Sequence, residues 1–497
     1  MEAIDLLLPL SLITPLICGI FLLIGSKDVQ DSIRPLTLIG FGVPLVAALI
    51  LMIKFPGAMG EDGFVFNSKF DTGLSSMGIF LSFGLNGISM PLFLLAGIVG
   101  LAAGIFALYS PADRKPFYLG LLLIMQTGLM GIFATRDVFF LYFFHEVALI
   151  PTFILIGVWG GYERGRIAME MTVYLTLGAM LSLAGLIGIY IGSGAESFDI
   201  AALRNAVVEG GLQESLFGLL LFGLGILVSL FPFHSWAPAG YGAAPSSAAM
   251  LHAGVLKKFG LYTLIQVAMP LLTVGAAKWI DLLTVLALGN ILVIGLITAA
   301  QRDLKSMMGY SSVMHMGYCF LGIATYSTLG VGGAVILMFG HGLTVALLFL
   351  LSTSIYFRTK TFDMREMGGL AKSAPILATL FVAATMANIG LPGFASFWGE
   401  FTIFFALWQF NPLVMGLAAI GIVISAVYGL RAVAKVFFGE KTEMLLAVTR
   451  GEEIEDLKMS EKVPALVLLV PLLAIGIYPA LISAPVNSVL TALETLR

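Results

Sequence analysis

Charge is scarce in this chain. Asp, Glu, Lys and Arg make up 11% of its 497 residues, against roughly 25% in a soluble domain. Hydrophobic residues make up 59% and the mean hydropathy is +1.02, too little polar surface to coat a water-soluble globule. Cysteine is nearly absent. Cys18 and Cys319 lie far apart in apolar runs, which excludes a disulfide framework or a cysteine-built metal site and leaves two buried, inert thiols as the reading. No HExxH or haem-attachment pattern occurs, and the histidines are too dispersed for a single metal centre. The net charge of −3 carries no signature of a nucleic-acid partner. The first apolar run, 6–25, has no basic stretch before it, so a retained helix is expected there rather than a signal peptide.

What the chain has is apolar length. Windows of about 20 residues, enough to span a bilayer, fall at 6–25, 36–54, 78–109, 117–134, 138–158, 168–193, 215–233, 246–269, 279–300, 307–325, 329–355, 373–410, 413–438 and 463–485. The expectation is an all-α polytopic membrane protein of fourteen transmembrane helices, a single membrane domain over 1–497. Its parts would be N-terminal helices in 1–116, a first repeat over 117–269, a second over 279–438, and a connector with a C-terminal helix over 439–497. Of the 26 Lys and Arg residues, eighteen fall in connectors on one side, among them Lys27, Arg114, Arg164, Arg302, Arg358 and Arg450. Six fall on the other, including Lys69, Arg136, Arg204 and Arg497. The basic side reads as cytoplasmic, so both termini are expected outside.

Two of the windows are interrupted. FPFHSW at 231–236 and LPGFASFW at 391–398 put Pro232 and Pro392 inside apolar sequence, each in the fourth helix of a five-helix set. Proline frees backbone groups that hydrocarbon cannot satisfy, so such breaks survive only inside protein or beside a water-filled cavity. Paired breaks in two halves point to a transport site, and five helices per unit make the repeats inverted.

Charged groups within spans cost roughly 2.5–3.5 kcal/mol on insertion scales and mark ion or proton paths. Glu146 lies mid-span in VFFLYFFHEVALIPTFIL, and Glu400 follows the second break. Lys257 and Lys258 are adjacent in one helix, about 100° apart. One is expected to face the interior, with Lys258 the candidate, and Lys257 to face lipid, a partner or the interface. His145 reads as packing. His234, His315 and His341, with Glu146, Lys258 and Glu400, form a candidate polar line. Glu170, one turn inside Arg166, reads as an interfacial acid.

The stretches FFHEVALIPTFIL, PFHSW, AAPSSAAMLHAGVLKKFGLY, QRDLKSMMGYSSVMHMGY, GHGLTVALLFL and IGLPGFASFWGEF resemble the antiporter-like membrane subunits of respiratory complex I, NADH-quinone oxidoreductase, in the subunit M or chain 4 branch. The resemblance covers about residues 85–440. It implies broken helices seven and twelve and proton pumping driven by quinone reduction in partner subunits. It also implies no cofactor in this chain, with quinone and iron–sulfur clusters held by partners, and antiporter-like neighbours on both sides among lipids. A bacterial inner membrane is the expected location, a thylakoid-type membrane the alternative. Position by position, Glu146 matches the helix-five glutamate, Lys258 the helix-eight lysine, Glu400 the helix-twelve glutamate, and His315 and His341 the axis residues of helices ten and eleven. Leu227 stands where the family has a helix-seven lysine, and Glu170 where subunit M carries a helix-six lysine. The missing lysine predicts input from Glu146 to Lys258 through water or His234. A multi-subunit Mrp-type cation/proton antiporter subunit is the second reading, and a membrane anchor that no longer transports is the third.

Overall fold

The structure, a computed structural model, describes residues 4–25, 31–55, 60, 62–449 and 454–495. Lys27, Arg450 and Arg497 lie outside the described residues. Two peripheral helices, α1 (Leu7–Ile24) and α2 (Ile33–Ile53), precede an antiparallel hairpin of β1 (Val65–Asp71) and β2 (Phe80–Leu85). Then come α3 (Ser89–Tyr109), α4 (Lys115–Ala134), α5 (Val138–Trp159) and α6 (Arg164–Ser193). α7 is split into Gly210–Val228 and Trp236–Ala243. α8 (246–271) contains two π-turns, His252–Leu256 and Leu264–Ala268. α9 (Thr273–Ala300), α10 (Leu304–Ala324) and α11 (Thr328–Thr359) follow. α12 is split into Pro375–Asn388 and Ala395–Phe410, and α13 (Pro412–Phe437), α14 (Met459–Ile477) and α15 (Ala480–Thr495) complete the chain.

Among the described residues, eleven helices are long and apolar enough to cross a membrane. The other three expected windows depart from a plain span for local reasons. α8 is interrupted by its π-turns, α12 is broken, and Lys305, Ser311, Ser312 and His315 make α10 more polar. Two expected boundaries are corrected. The window 78–109 begins as strand β2 and becomes helical only at Ser89. A short apolar run does not distinguish strand from helix by periodicity, and pairing with β1 decided it. The window 463–485 is two helices, α14 and α15, parted at Tyr478.

α11 is the central pillar. Its 32 residues reach about 48 Å at 1.5 Å per residue. It packs against α3, α8, α10, both parts of α12, α14 and α15. α8 is equally internal: every residue from Ser246 to Met269 is buried. By contrast α1, α2 and α6 keep exposed apolar faces at Ile24, Ile53 and Ile191. Several helix starts are capped by short polar side chains. Asp137 accepts from the Phe139 and Phe140 amides, Asp303 from Ser306, Ser327 from Gly330 and Asn411 from Leu413. At one end of the bundle Arg136 pairs with Asp62 and Asp199, joining the hairpin to the 196–209 segment. At the other, Arg358 makes a bidentate pair with Glu461, 2.9 Å on each arm, tying α11 to α14.

A candidate proton path through two broken helices

Each break is stitched by polar side chains. In α7, Ser229 takes a left-handed backbone (φ 69°) that ends the first segment. Asn290 of α9 then accepts from the Phe231 amide at 2.6 Å and donates to the carbonyls of Ser229, at 3.1 Å, and Val313, at 2.9 Å. The Trp236 indole donates to the Ile226 carbonyl at 3.0 Å. In α12, the Trp398 indole donates to the Gly476 carbonyl at 2.8 Å. Thus the tryptophan after each break donates to a backbone carbonyl, so buried backbone acceptors near the breaks find partners inside the protein.

The break in α12 carries more. Asn388 donates to Ser311 at 3.1 Å and to the Tyr428 hydroxyl at 3.3 Å, and Ser311 and Tyr428 meet at 2.8 Å. His315 of α10 is held between two carbonyls, Ser311 at 2.7 Å from Nδ1 and Asn388 at 2.8 Å from Nε2. A neutral ring has one N–H and satisfies one of them; a second proton satisfies both. The ring therefore accommodates an arriving proton without rebuilding its surroundings. Glu400 is buried one step beyond. A Cβ built on Gly390 would fall 2.1 Å from Glu400 Oε2, and Gly390 has φ +78°. Only glycine supplies both the space and that backbone, so the carboxyl rests directly on the break. Tyr318, Cys319 and Tyr428 lie within electrostatic range of it.

Lys258 connects this cluster to the first half. Its ammonium donates to the Ala253 carbonyl at 2.6 Å and to His341 Nδ1 at 3.0 Å. When Lys258 is the donor the His341 hydrogen is on Nε2, which has no hydrogen-bond partner among the described residues. The His341 and His315 rings lie 5.8 Å apart. Lys258, His341, His315, Asn388 and Glu400 thus form one buried polar run over α8, α11, α10 and α12.

The structure does not bring the remaining candidates into that run. Glu146 is on the flank of α5, 29% exposed, bonded at 3.3 Å to its neighbour His145. Among the described residues no lysine or arginine pairs with its carboxylate. His145, expected as packing, is buried and stacks on Phe259 with ring centres 4.1 Å apart. His234 lies partly exposed outside the buried run, against Phe231 and the Pro232 carbonyl. It is His252, unremarked as a site from sequence, that lies within electrostatic range of His145, Lys257 and Lys258. Glu170 bonds Arg166 and also Ser235 of the α7 break, each at 3.4 Å. Leu227 is buried.

The expectation for Lys257 is overturned. It is 1% exposed, as deeply placed as Lys258, because α8 has no lipid face and its π-turn ends at Lys257. Asn290, Asn388 and Tyr428 were also missed; single polar residues in apolar helices give no periodic signal. Cys18 and Cys319 are free and buried. No group of three or more His, Cys, Asp or Glu among the described residues is arranged to hold a metal.

Residues 135–425 match the family described as NADH:quinone oxidoreductase/Mrp antiporter, transmembrane. An NAD(P)H-quinone oxidoreductase chain 4 of Picosynechococcus is 33% identical over 94% of this chain and 88% of its own length. Another from Synechocystis is 31% identical over 97% and 91%. Among solved structures, a chain of respiratory complex I from Thermus thermophilus superposes with a TM-score of 0.89 at 28% identity, covering 98% of this chain and 99% of that one. A chain of the Mrp complex from Dietzia shares the fold, with a TM-score of 0.85 at 22% identity over 99% and 98%.

Proposed function

This chain belongs to the NADH:quinone oxidoreductase/Mrp antiporter transmembrane family, and we propose that it is the antiporter-like, proton-translocating membrane subunit of a complex I-type NAD(P)H- or ferredoxin-quinone oxidoreductase. In this reading quinone reduction in partner subunits drives protons through this one. The observation that carries it is the buried run from Lys258 through His341 and His315 to Glu400 at the α12 break.

Within that run each residue has a task its contacts support. Lys258 exchanges a proton with His341 Nδ1 across 3.0 Å. His315 holds a proton between two carbonyls, one of them the last residue of the first α12 segment. Glu400 is the outlet group, a carboxyl at a point where irregular backbone permits hydration on one side. Quinone and iron–sulfur chemistry belongs to partner subunits, with antiporter-like neighbours against the exposed apolar faces. The excess of basic residues in one set of connectors supports the Arg358 end as cytoplasmic and both termini as outside, in a bacterial cytoplasmic membrane or a thylakoid-type one.

Purification through a tag on this chain tests the reading. Copurification with quinone-binding and iron–sulfur subunits is expected. Copurification with Mrp-type antiporter subunits alone would replace it with the second reading, which the shared fold of the Dietzia chain supports. The anchor reading predicts that Lys258→Ala leaves pumping intact; abolition of most pumping in an assembled complex is the expected result.

A further inference from the structure

Lys257 is buried, and among the described residues it has no carboxylate beside it. Its ammonium donates to Ser312 Oγ of α10 at 3.3 Å and lies 5.5 Å from the Tyr241 ring. An isolated buried ammonium is costly, yet the serine hydroxyl opposite it accepts from an ammonium and donates to an amine equally well. Both protonation states therefore find the same partner.

The surroundings of Lys257 are polar and incomplete. Among the described residues the Tyr241 hydroxyl and His252 Nδ1 are buried without hydrogen-bond partners. His252 stacks on Trp236, with ring centres 5.6 Å apart, and meets Tyr241 at 5.3 Å. It is in electrostatic range of both Lys257 and His145. His145 in turn holds Glu146, whose carboxyl reaches the flank of α5. On the far side, Ser312 adjoins Ser311, which bonds Asn388 and Tyr428 at the α12 break.

We propose that Lys257 is a proton-exchanging lysine of the first half. It receives protons from His145 by way of His252 and passes them through Ser312 toward the α12 cluster, beside the Lys258–His341 contact. This rests on the proton-translocating function above. In the transfer an N–H bond of the His145 imidazolium breaks. His252 accepts a proton on one nitrogen and releases one from the other, and a new N–H forms on the Lys257 amine. Lys257 returns to the amine when Ser312 accepts its proton while releasing its own to the Ser311–Tyr428 hydroxyl pair at the α12 break. No electrons are exchanged.

The test uses the intact complex in proteoliposomes, with proton translocation measured per quinone reduced. Lys257→Met removes the proton-binding group, and Lys257→Arg keeps a charge that does not deprotonate. Both are expected to lower translocation about a hundredfold, the low end of what a positioned proton-transfer group contributes. Wild-type translocation in either variant overturns the proposal: in Met because no proton site is needed there, in Arg because a fixed charge suffices. Ser312→Ala removes only the hydroxyl opposite Lys257 and keeps the helix around it, so it reads the same path with little change in packing. A loss of about a hundredfold supports the path, and an unchanged rate overturns it. Lys258→Met in parallel separates the two levels. If it too leaves translocation unchanged, the proton-translocating reading itself fails; if it alone abolishes translocation, only the role of Lys257 fails.

Discussion

His145 and Glu146 divide one job between neighbours. The carboxyl faces the flank and the ring faces Phe259. Without a lysine partner, Glu146 serves chiefly as a hydrogen-bond acceptor for His145, a role the glutamine carbonyl also fills. Glu146→Gln is therefore expected to lower pumping less than about threefold. His145→Phe keeps the stack on Phe259 but removes both nitrogens, and a loss of about tenfold or more is expected. Equal effects of the two would reverse this assignment, and proton uptake in proteoliposomes distinguishes them. Glu400 differs, having a buried carboxyl on the α12 break and nothing to substitute for it. Moving a charge across the membrane costs about 2.3 kcal/mol per 100 mV, so the outlet group must change its proton affinity during the cycle. Glu400→Gln cannot. It is expected to uncouple or slow turnover of the whole complex, and normal proton-to-quinone ratios in that variant would remove Glu400 from the path.

At the scale of elements, the two breaks depend on different devices. In α7 one side chain, Asn290, makes three hydrogen bonds across α7, α9 and α10. Asn290→Leu removes all three, and at roughly 0.5–1.5 kcal/mol each a loss of about 2–4 kcal/mol is expected, read as a lower thermal midpoint of the purified complex. In α12 the device is backbone: Gly390 is in the left-handed region with the Glu400 carboxyl against its Cα. Gly390→Ala carries a cost of about 1–2 kcal/mol for that conformation and displaces the carboxyl as well. Its expected signature is pumping lost out of proportion to a modest drop in midpoint. A variant with full pumping would show that the Glu400 position is not constrained by the break.

Across the whole molecule, charged loops collect at two ends of the bundle and apolar faces remain between them. The hairpin end is held by Arg136 with Asp62 and Asp199, the other by Arg358 with Glu461. Breaking a buried pair costs about 3–5 kcal/mol because one charge stays behind, whereas replacing both is often neutral. Arg358→Met should thus detach α14 from α11 and lower the yield of assembled complex, and Arg358→Met with Glu461→Leu should restore it. Sidedness is tested by Ser75→Cys in the hairpin turn and Glu440→Cys after α13, both exposed positions. An impermeant maleimide added to intact cells should label the first only; labelling of the second alone would invert the topology.

The class was legible in the residues themselves, and so were candidates for the site. Hydrocarbon tolerates few charges and no unsatisfied backbone, so apolar windows reveal spans, and Pro232, Pro392, Lys258 and Glu400 stand out against them. Sequence by itself therefore determined a polytopic helical protein with two breaks and acidic and basic groups near them. Which way each side chain points was decided only by tertiary structure. A uniformly apolar helix gives no face to read, so the burial of Lys257 followed from α8 being enclosed on every side and from its π-turn. His145 turned inward and His234 outward because of what α8 and the α7 break present to them. The β1–β2 pairing, likewise, is a contact between segments that neither strand encodes alone.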